Sequence, residues 1–208
     1  MRNRTLLAAL VVALCAPAAP AAADPLEPGQ VLHHVQVQVM AGDRNHEVRM
    51  TRSSTAFHRV IFDRDNNGKI IREEFADART GRMSTYDGRR GVRWDRVCKP
   101  VATRMVAVME APGEAIDEKI ASGDYQVVAR REEFGRTVLD LTGDMGEPDV
   151  GPQKIDLTVD EATGTTLAVA TGRGGRVSTT AFSVKPGRFS SALSPEARGA
   201  RVKTRDCP

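Results

Sequence analysis

Short apolar runs separated by turn residues constrain this chain more than any other feature, because strands joined by short connections lie antiparallel while parallel neighbours need long crossovers. Val35-Gln36-Val37-Gln38-Val39 and Ile155-Asp156-Leu157-Thr158-Val159-Asp160 alternate apolar with polar residues, the pattern of half-buried strands. Further strand candidates are Met83 to Tyr86, Val92 to Val97, Met105 to Met109, Tyr125 to Ala129, Thr137 to Leu141, Leu167 to Thr171 and Val177 to Val184. Turn chemistry separates them: Thr80-Gly81, Asp87-Gly88, Glu133 to Gly135, Ala162 to Gly164 and Gly172 to Gly175. One segment departs from the pattern. After Pro112-Gly113, the run Glu114 to Ser122 places Ile116 and Ile120 one helical turn apart, carries acids early and stops at Gly123. This predicts a short helix, too short to stand alone, whose isoleucines pack on the sheet or on something the sheet holds. Gly143 to Pro152, with three glycines and two prolines, predicts an exposed loop.

The stretch from Phe57 to Phe75 fits two incompatible structures. As an EF-hand loop it offers Asp63, Asp65 and Asn67 at positions 1, 3 and 5, the Lys69 carbonyl at position 7 and Glu74 as the bidentate twelfth ligand, with Gly68 at the sharp turn. As a β-hairpin it is a β-branched apolar run, an Asp-Asn-Asn-Gly turn and a second run from Ile70 to Phe75. The flanks favour the hairpin. Ser53, Ser54 and Thr55 are poor residues for an entering helix, Val60, Ile61 and Phe62 favour strand, and Ile71 at position 9 has no oxygen to offer. With a four-residue loop, Phe62 falls opposite Ile71 and Arg59 opposite Glu74. Calcium remains the alternative cofactor; the hairpin needs none.

Residues 1 to 23 have the layout of a secretory signal, with Arg2 and Arg4, an apolar stretch from Leu6 to Leu14, and Ala21-Ala22-Ala23 before Asp24. The expectation is an exported, secreted or cell-envelope protein, soluble after cleavage, with residues 24 to 208 as a single domain. Cys15 raises lipidation as an alternative, although Leu14 before it is bulky. Removing residues 1 to 23 from the 208 takes away Arg2 and Arg4, so the mature chain has 28 basic side chains against 27 acids. That near balance argues against a nucleic-acid partner, and the cluster Arg198, Arg201, Lys203, Arg205 reads as a solvated terminal segment. Two cysteines then remain, Cys98 and Cys207, and an exported chain with one pair most often bridges it.

No GxSxG elbow, HExxH, Walker loop or nucleotide fingerprint is present, and the expectation is a protein that is not an enzyme. Gly172-Arg173-Gly174-Gly175 lacks the lysine and helix of a phosphate cradle and reads as a hairpin turn. His33 and His34 fall on opposite faces of a strand, and His46 and His58 lack the neighbours of a zinc site. Trp94 and Tyr86 fit either a ligand pocket or ordinary core.

The order of segments resembles the lipoprotein-carrier superfamily, LolA/LolB-like, which includes RseB-type regulators and lipid-carrying lipoproteins of mycobacteria. The resemblance rests on Gly29-Gln-Val-Leu-His33, on Asn67-Gly-Lys-Ile-Ile-Arg-Glu-Glu74 followed by Tyr86-Asp-Gly88, and on Ile120-Ala-Ser-Gly-Asp-Tyr-Gln-Val-Val128 with Gly135-Arg-Thr-Val-Leu-Asp-Leu141. It ends on Leu157 to Leu167, which is similar to the family's D-x-x-T-G-x-P hairpin but has Thr165-Thr166 in place of Leu-Pro. The resemblance implies a mainly β (α+β) fold: a strongly curved antiparallel sheet forming an unclosed barrel, with short helices covering a concave side that holds an apolar ligand. No catalytic residue is inherited. Met105, Ala107 and Met109 would line the cavity from a strand apolar on both faces, with Ile116 and Ile120 above them; a central strand buried on both faces fits the same pattern. The leading functional expectation is an exported, non-enzymatic carrier of a lipid or other hydrophobic ligand. The alternatives are an envelope-stress regulator that docks on a membrane-bound regulatory protein, and a secreted calcium-binding protein.

Overall fold

The computed structural model describes residues 26–39, 45–110, 112–147, 151–172 and 175–207; side chains at 110, 112–115, 145–147 and 151–153 are not described. The signal-like segment, Cys15 included, lies outside the described residues. The strands are β1 (Gln30–Val39), β2 (Asn45–Arg52), β3 (Ala56–Asp63), β4 (Lys69–Asp77), β5 (Arg82–Asp87), β6 (Val92–Val97), β7 (Tyr125–Glu133), β8 (Arg136–Glu147), β9 (Gly151–Asp160), β10 (Thr166–Thr171), β11 (Arg176–Pro186) and β12 (Arg201–Thr204). The helices are α1 (Lys99–Glu110), α2 (Pro112–Ser122) and α3 (Pro195–Gly199). Among the described residues the twelve strands form one sheet in the order β12-β6-β5-β4-β3-β2-β1-β11-β10-β9-β8-β7, curved but not closed into a barrel. Every pairing is antiparallel except that of β12 with β6. Short turns dictate that outcome for successive strands; β1 and β11 pair antiparallel across a long separation, and β12 reaches the edge of β6 after α3.

The β3–β4 segment is a hairpin. Its loop runs over 64–68, closed by the Gly68 N–H donating to the Asp63 carbonyl, with Asn67 and Gly68 both at positive φ. Arg59 does face Glu74, but Phe62 faces Ile70 and Ile61 faces Arg72, so Ile71 is the extra residue of a β-bulge rather than the partner of Phe62. Two other expectations need correction. Of the segment expected as a loop at Gly143 to Pro152, residues 143–147 are strand in β8 and 151–152 are strand in β9, while 148–150 lie outside the described residues. Met105 to Met109 is not a strand but the second half of α1. Val101, Ala102, Met105, Val106 and Met109 recur with helical spacing, and Ala102 and Val106 are buried against Phe57, Ala76 and Met83. Ala107 and Val108 fall on the outward side, and Val108 is 64% exposed. The β-branched Val-Ala-Val run suggested strand, and tertiary packing of the opposite stripe decided for helix.

Cross-strand register places both long helices on one face. One row of neighbours runs Arg96, Met83, Ala76, Phe57, Arg52, Leu32 from β6 to β1. The next, one pleat along, runs Trp94, Thr85, Glu74, Arg59, Met50, His34. α1 sits on the first row. The same face continues through Gln38, Val177, Val169, Leu157 and Leu141, where α2 buries Ile116 against Tyr125, Leu139, Leu141 and Leu157. Val127 is opposite Leu141 on β7 yet solvent-exposed, because β7 is an edge.

The C-terminal segment straps the other face. Phe189 stacks on Phe75, Ser194 donates to buried Glu73 and caps α3, and Arg93 donates to the Ala197 carbonyl at 2.9 Å. β12 then adds to the edge of β6, and Cys207 bridges Cys98 at the start of α1. The β9–β10 turn explains the D-x-x-T-G pattern: Asp160, fully buried, accepts from the N–H and hydroxyl of Thr163, while Arg136 holds both its oxygens. Gly164, at φ 61°, supplies the left-handed step.

Candidate functional site

A cleft of about 470 Å³ opens on the helix-bearing face between α1 and strands β4 to β6, within the size range of small-molecule sites. Its apolar lining includes Met83, Trp94 and Met105; its charged lining is Arg72, Glu74, Asp87, Arg89, Arg96 and Arg205. Alternation builds it. Glu74 and Arg72 on β4, Thr85 and Asp87 on β5, and Trp94 and Arg96 on β6 point to the same side because they are two residues apart on each strand. The tail adds Arg205, whose guanidinium lies 5.2 Å from the Trp94 ring centroid while its N–H donates to the Asp95 carbonyl.

Both carboxylates in the cleft are already engaged. Glu74 pairs with Arg59 and with Arg72, the latter at 2.6 Å. Asp87 accepts from the N–H groups of Arg89 and Arg90 and pairs with the Arg90 side chain. Among the described residues no carboxylate pairs with the side chains of Arg89, Arg96 or Arg205, and the lining is net positive. A second concavity of about 480 Å³ lies on the opposite face, along β7 to β11, where neither long helix packs.

Of the residues expected at a cavity, Met105 lines the cleft. Met109 packs at the margin of the α1 core, and its carbonyl accepts from Arg52. Ala107 is exposed on the outer side of α1. Ile116 and Ile120 belong to the separate core under α2, with Ile116 only 7% exposed. The strand reading of Met105 to Met109 thus puts one residue, Met105, at the cleft, and the pattern at Ile116 and Ile120 does not separate core from cleft. Trp94 belongs to the cleft, whereas the Tyr86 side chain is buried with Ile70 and Ala197 under the tail. Arg72, Arg89 and Arg96 carry no local signal because they are scattered in sequence and only the hairpin register gathers them, while Arg205, expected in a solvated terminal segment, is brought to them by the tail.

The calcium constellation is not formed. Glu74 lies in the body of β4, five residues or roughly 16 Å beyond Lys69, and is held by arginines. Asp63 accepts from the Asp65 N–H, Asp65 accepts from the N–H of Asn45, and Asn67 occupies the left-handed turn position. That backbone hydrogen bond, with one from the Asn45 side chain, lowers the Asp65 pKa. His58, Glu73 and Ser194 form a chain with Glu73 in the middle, 2.7 Å from His58 and 2.5 Å from Ser194. Burial pushes the Glu73 carboxyl up, but the hydrogen bonds from His58 and Ser194 prevail and hold it below the usual range. A nucleophile would need the imidazole against the hydroxyl; here the carboxylate separates them, and the chain anchors the tail.

On the helix-bearing face lies His34, 2% exposed, its ring edge-on to Phe182 and its Nε2 2.6 Å from the Thr179 hydroxyl. That hydroxyl's proton goes to the Leu167 carbonyl at 2.6 Å, so Nε2 is the donor to Thr179. Burial, reinforced by neighbouring Arg52, lowers the His34 pKa from 6.5 to about 4. His33, one residue earlier, is exposed.

No family model matches the chain, and neither does any curated protein. Solved structures that match in fold include PNGF-II, at 10% identity over 85% of this chain and 31% of that one, with a TM-score of 0.42. The MucA/MucB complex of Pseudomonas aeruginosa matches at 17% identity over 80% and 56%, with a TM-score of 0.46. The Mycobacterium tuberculosis lipoprotein LppX matches at 11% identity over 73% and 85%, with a TM-score of 0.36. The chain thus spans about a third of PNGF-II and just over half of the MucA/MucB match, and likenesses at this level assign no activity.

Proposed function

We propose that the protein is an exported, non-enzymatic binding protein for a hydrophobic or amphiphilic ligand, a lipid foremost, which occupies the cleft beneath α1. The observation that carries this is the cleft itself, in which Met83, Trp94 and Met105 provide apolar walls on the face that the helices cover. Apolar area removed from water there contributes about 25 cal/mol per Å². The resemblance of the segment order to lipid carriers points the same way. Trp94 is the only tryptophan in the chain, so its fluorescence reports on the cleft alone. Native mass spectrometry before and after organic extraction, with titration of the extracted protein by fatty acids read at Trp94, tests the proposal. Bound lipid or a saturable change in emission is the expected result. No bound mass and no response to any amphiphile would overturn it.

A regulator docking on a membrane-bound protein is the second reading. The bare edge of β7 favours it, since Val127 and Val128 are 44% and 67% exposed there and an extended segment of a partner can add as a further strand.

A further inference from the structure

We infer that the cleft recognises an anionic group, a carboxylate or a phosphate, through Arg89, Arg96 and Arg205. The inference rests on the cleft reading above and assigns its ligand an acidic head. Four arginines line a space of about 470 Å³ with two carboxylates. Glu74 is held by Arg59 and Arg72, and Asp87 by its own turn and Arg90. Arg89, Arg96 and Arg205 therefore repel one another without a counter-charge from the described residues, a cost that a bound anion reverses.

The arginines are also placed. Arg96 stands two residues from Trp94 on the same face of β6, so the two side chains leave the strand roughly 7 Å apart. Arg205 lies against the Trp94 ring, and its backbone is fixed by the bond to Asp95 and by the bridge two residues later. Arg89 comes from the β5–β6 turn, where Asp87 orders the backbone. A guanidinium pair flanking an indole suits a head that is charged and a body that is apolar: planar N–H forks take the oxygens, and the ring with Met83 and Met105 takes the carbon chain. The mature chain is almost neutral overall, so this positive concentration is local rather than a general feature of the surface.

The test compares dodecanoate, dodecanol and inorganic phosphate by Trp94 fluorescence, at a pH where the carboxylate is ionised, on the full chain and on the variant Arg89→Gln/Arg96→Gln. Arg89 is exposed and Arg96 half-buried, and circular dichroism verifies the fold. Dodecanoate is expected to bind at least about tenfold more tightly than dodecanol, with an affinity that falls as salt rises. The variant should lose that preference and keep its affinity for dodecanol. Equal binding of dodecanoate and dodecanol by the wild type, or a preference that survives in the variant, would overturn the inference and leave the proposed function standing. Phosphate binding that the variant abolishes, with neither amphiphile bound, would uphold the anion site and overturn the hydrophobic ligand. No response to any of the three would overturn both.

Discussion

Acid should destabilise this protein through His34 by an amount that the structure sets. In the folded chain the imidazole is sealed between β2 and β11, donates to Thr179 and lies beside Arg52, so an added proton meets an apolar surrounding and a like charge. Its pKa falls from 6.5 to about 4, while in the unfolded chain it returns to the ordinary value. Between those two pH values the unfolded state holds a proton that the folded state does not, so stability rises with pH across the window and is lost as pH falls through it. The whole difference, about 3 kcal/mol, is gone once the pH is below about 4. Urea unfolding of the wild type and of His34→Gln at a series of pH values between 4 and 7 isolates this contribution. Carboxylates held below their usual range, Glu73 and Asp140 among them, lose stability at low pH in both proteins and cancel in the difference. The wild type should lose about 2 to 3 kcal/mol more than the variant between the two ends. Parallel curves, within about 0.5 kcal/mol, would mean that His34 is reached by water in the folded state and that burial does not control it.

Three further outcomes are expected. Replacing both Cys98 and Cys207 by Ser opens a loop closed over a separation of 109 residues and should cost about 5 kcal/mol in the chain-entropy model, read by urea unfolding; a loss under about 1 kcal/mol would contradict a tail that closes the chain. Gly88→Ala drives a methyl group into the Ile70 carbonyl and should cost about 1 to 3 kcal/mol, whereas Gly199→Ala, with open space around it, should stay within about 0.5 kcal/mol; equal effects would mean that β4 and the β5 turn do not approach as closely as described. Millimolar calcium should leave the thermal midpoint unchanged in calorimetry, and a micromolar dissociation constant lost in Asp63→Ala would restore the EF-hand.

The mainly β class, the antiparallel order and the helix at Glu114 to Ser122 were legible in the sequence because each rests on local chemistry: period-two alternation, turn residues, and a glycine stop. The Arg59–Glu74 pair was legible too, since hairpin register follows from loop geometry, though the bulge at Ile71 was not. What escaped was decided by distant parts of the chain. Lys99–Glu110 became helix because its apolar stripe found Phe57 and Ala76, more than twenty residues upstream. β12 carries no strand signature of its own, being exposed throughout, and exists because β6 offers it an edge. The cleft was half visible. Met105 and Trp94 were singled out from sequence, while Arg205, taken there for part of a solvated tail, reaches the cleft only through the strap and the bridge.

The two ends of the sheet are not equivalent, and that asymmetry limits how copies of the protein can associate. One end is β12, an edge kept short at four residues and charged by Arg201 and Lys203; the other, β7, runs nine residues and keeps an unpaired row of N–H and C=O groups beside exposed Val127 and Val128. Growth of a fibril by edge-to-edge pairing needs two adhesive ends on every unit. Here a pair of molecules meeting β7 to β7 around a twofold axis would consume both adhesive ends at once, and the assembly would stop at two. Loss of the bridge that holds the tail in place would turn a self-terminating unit into one able to propagate, which makes the tail a safeguard for solubility as much as a part of the fold.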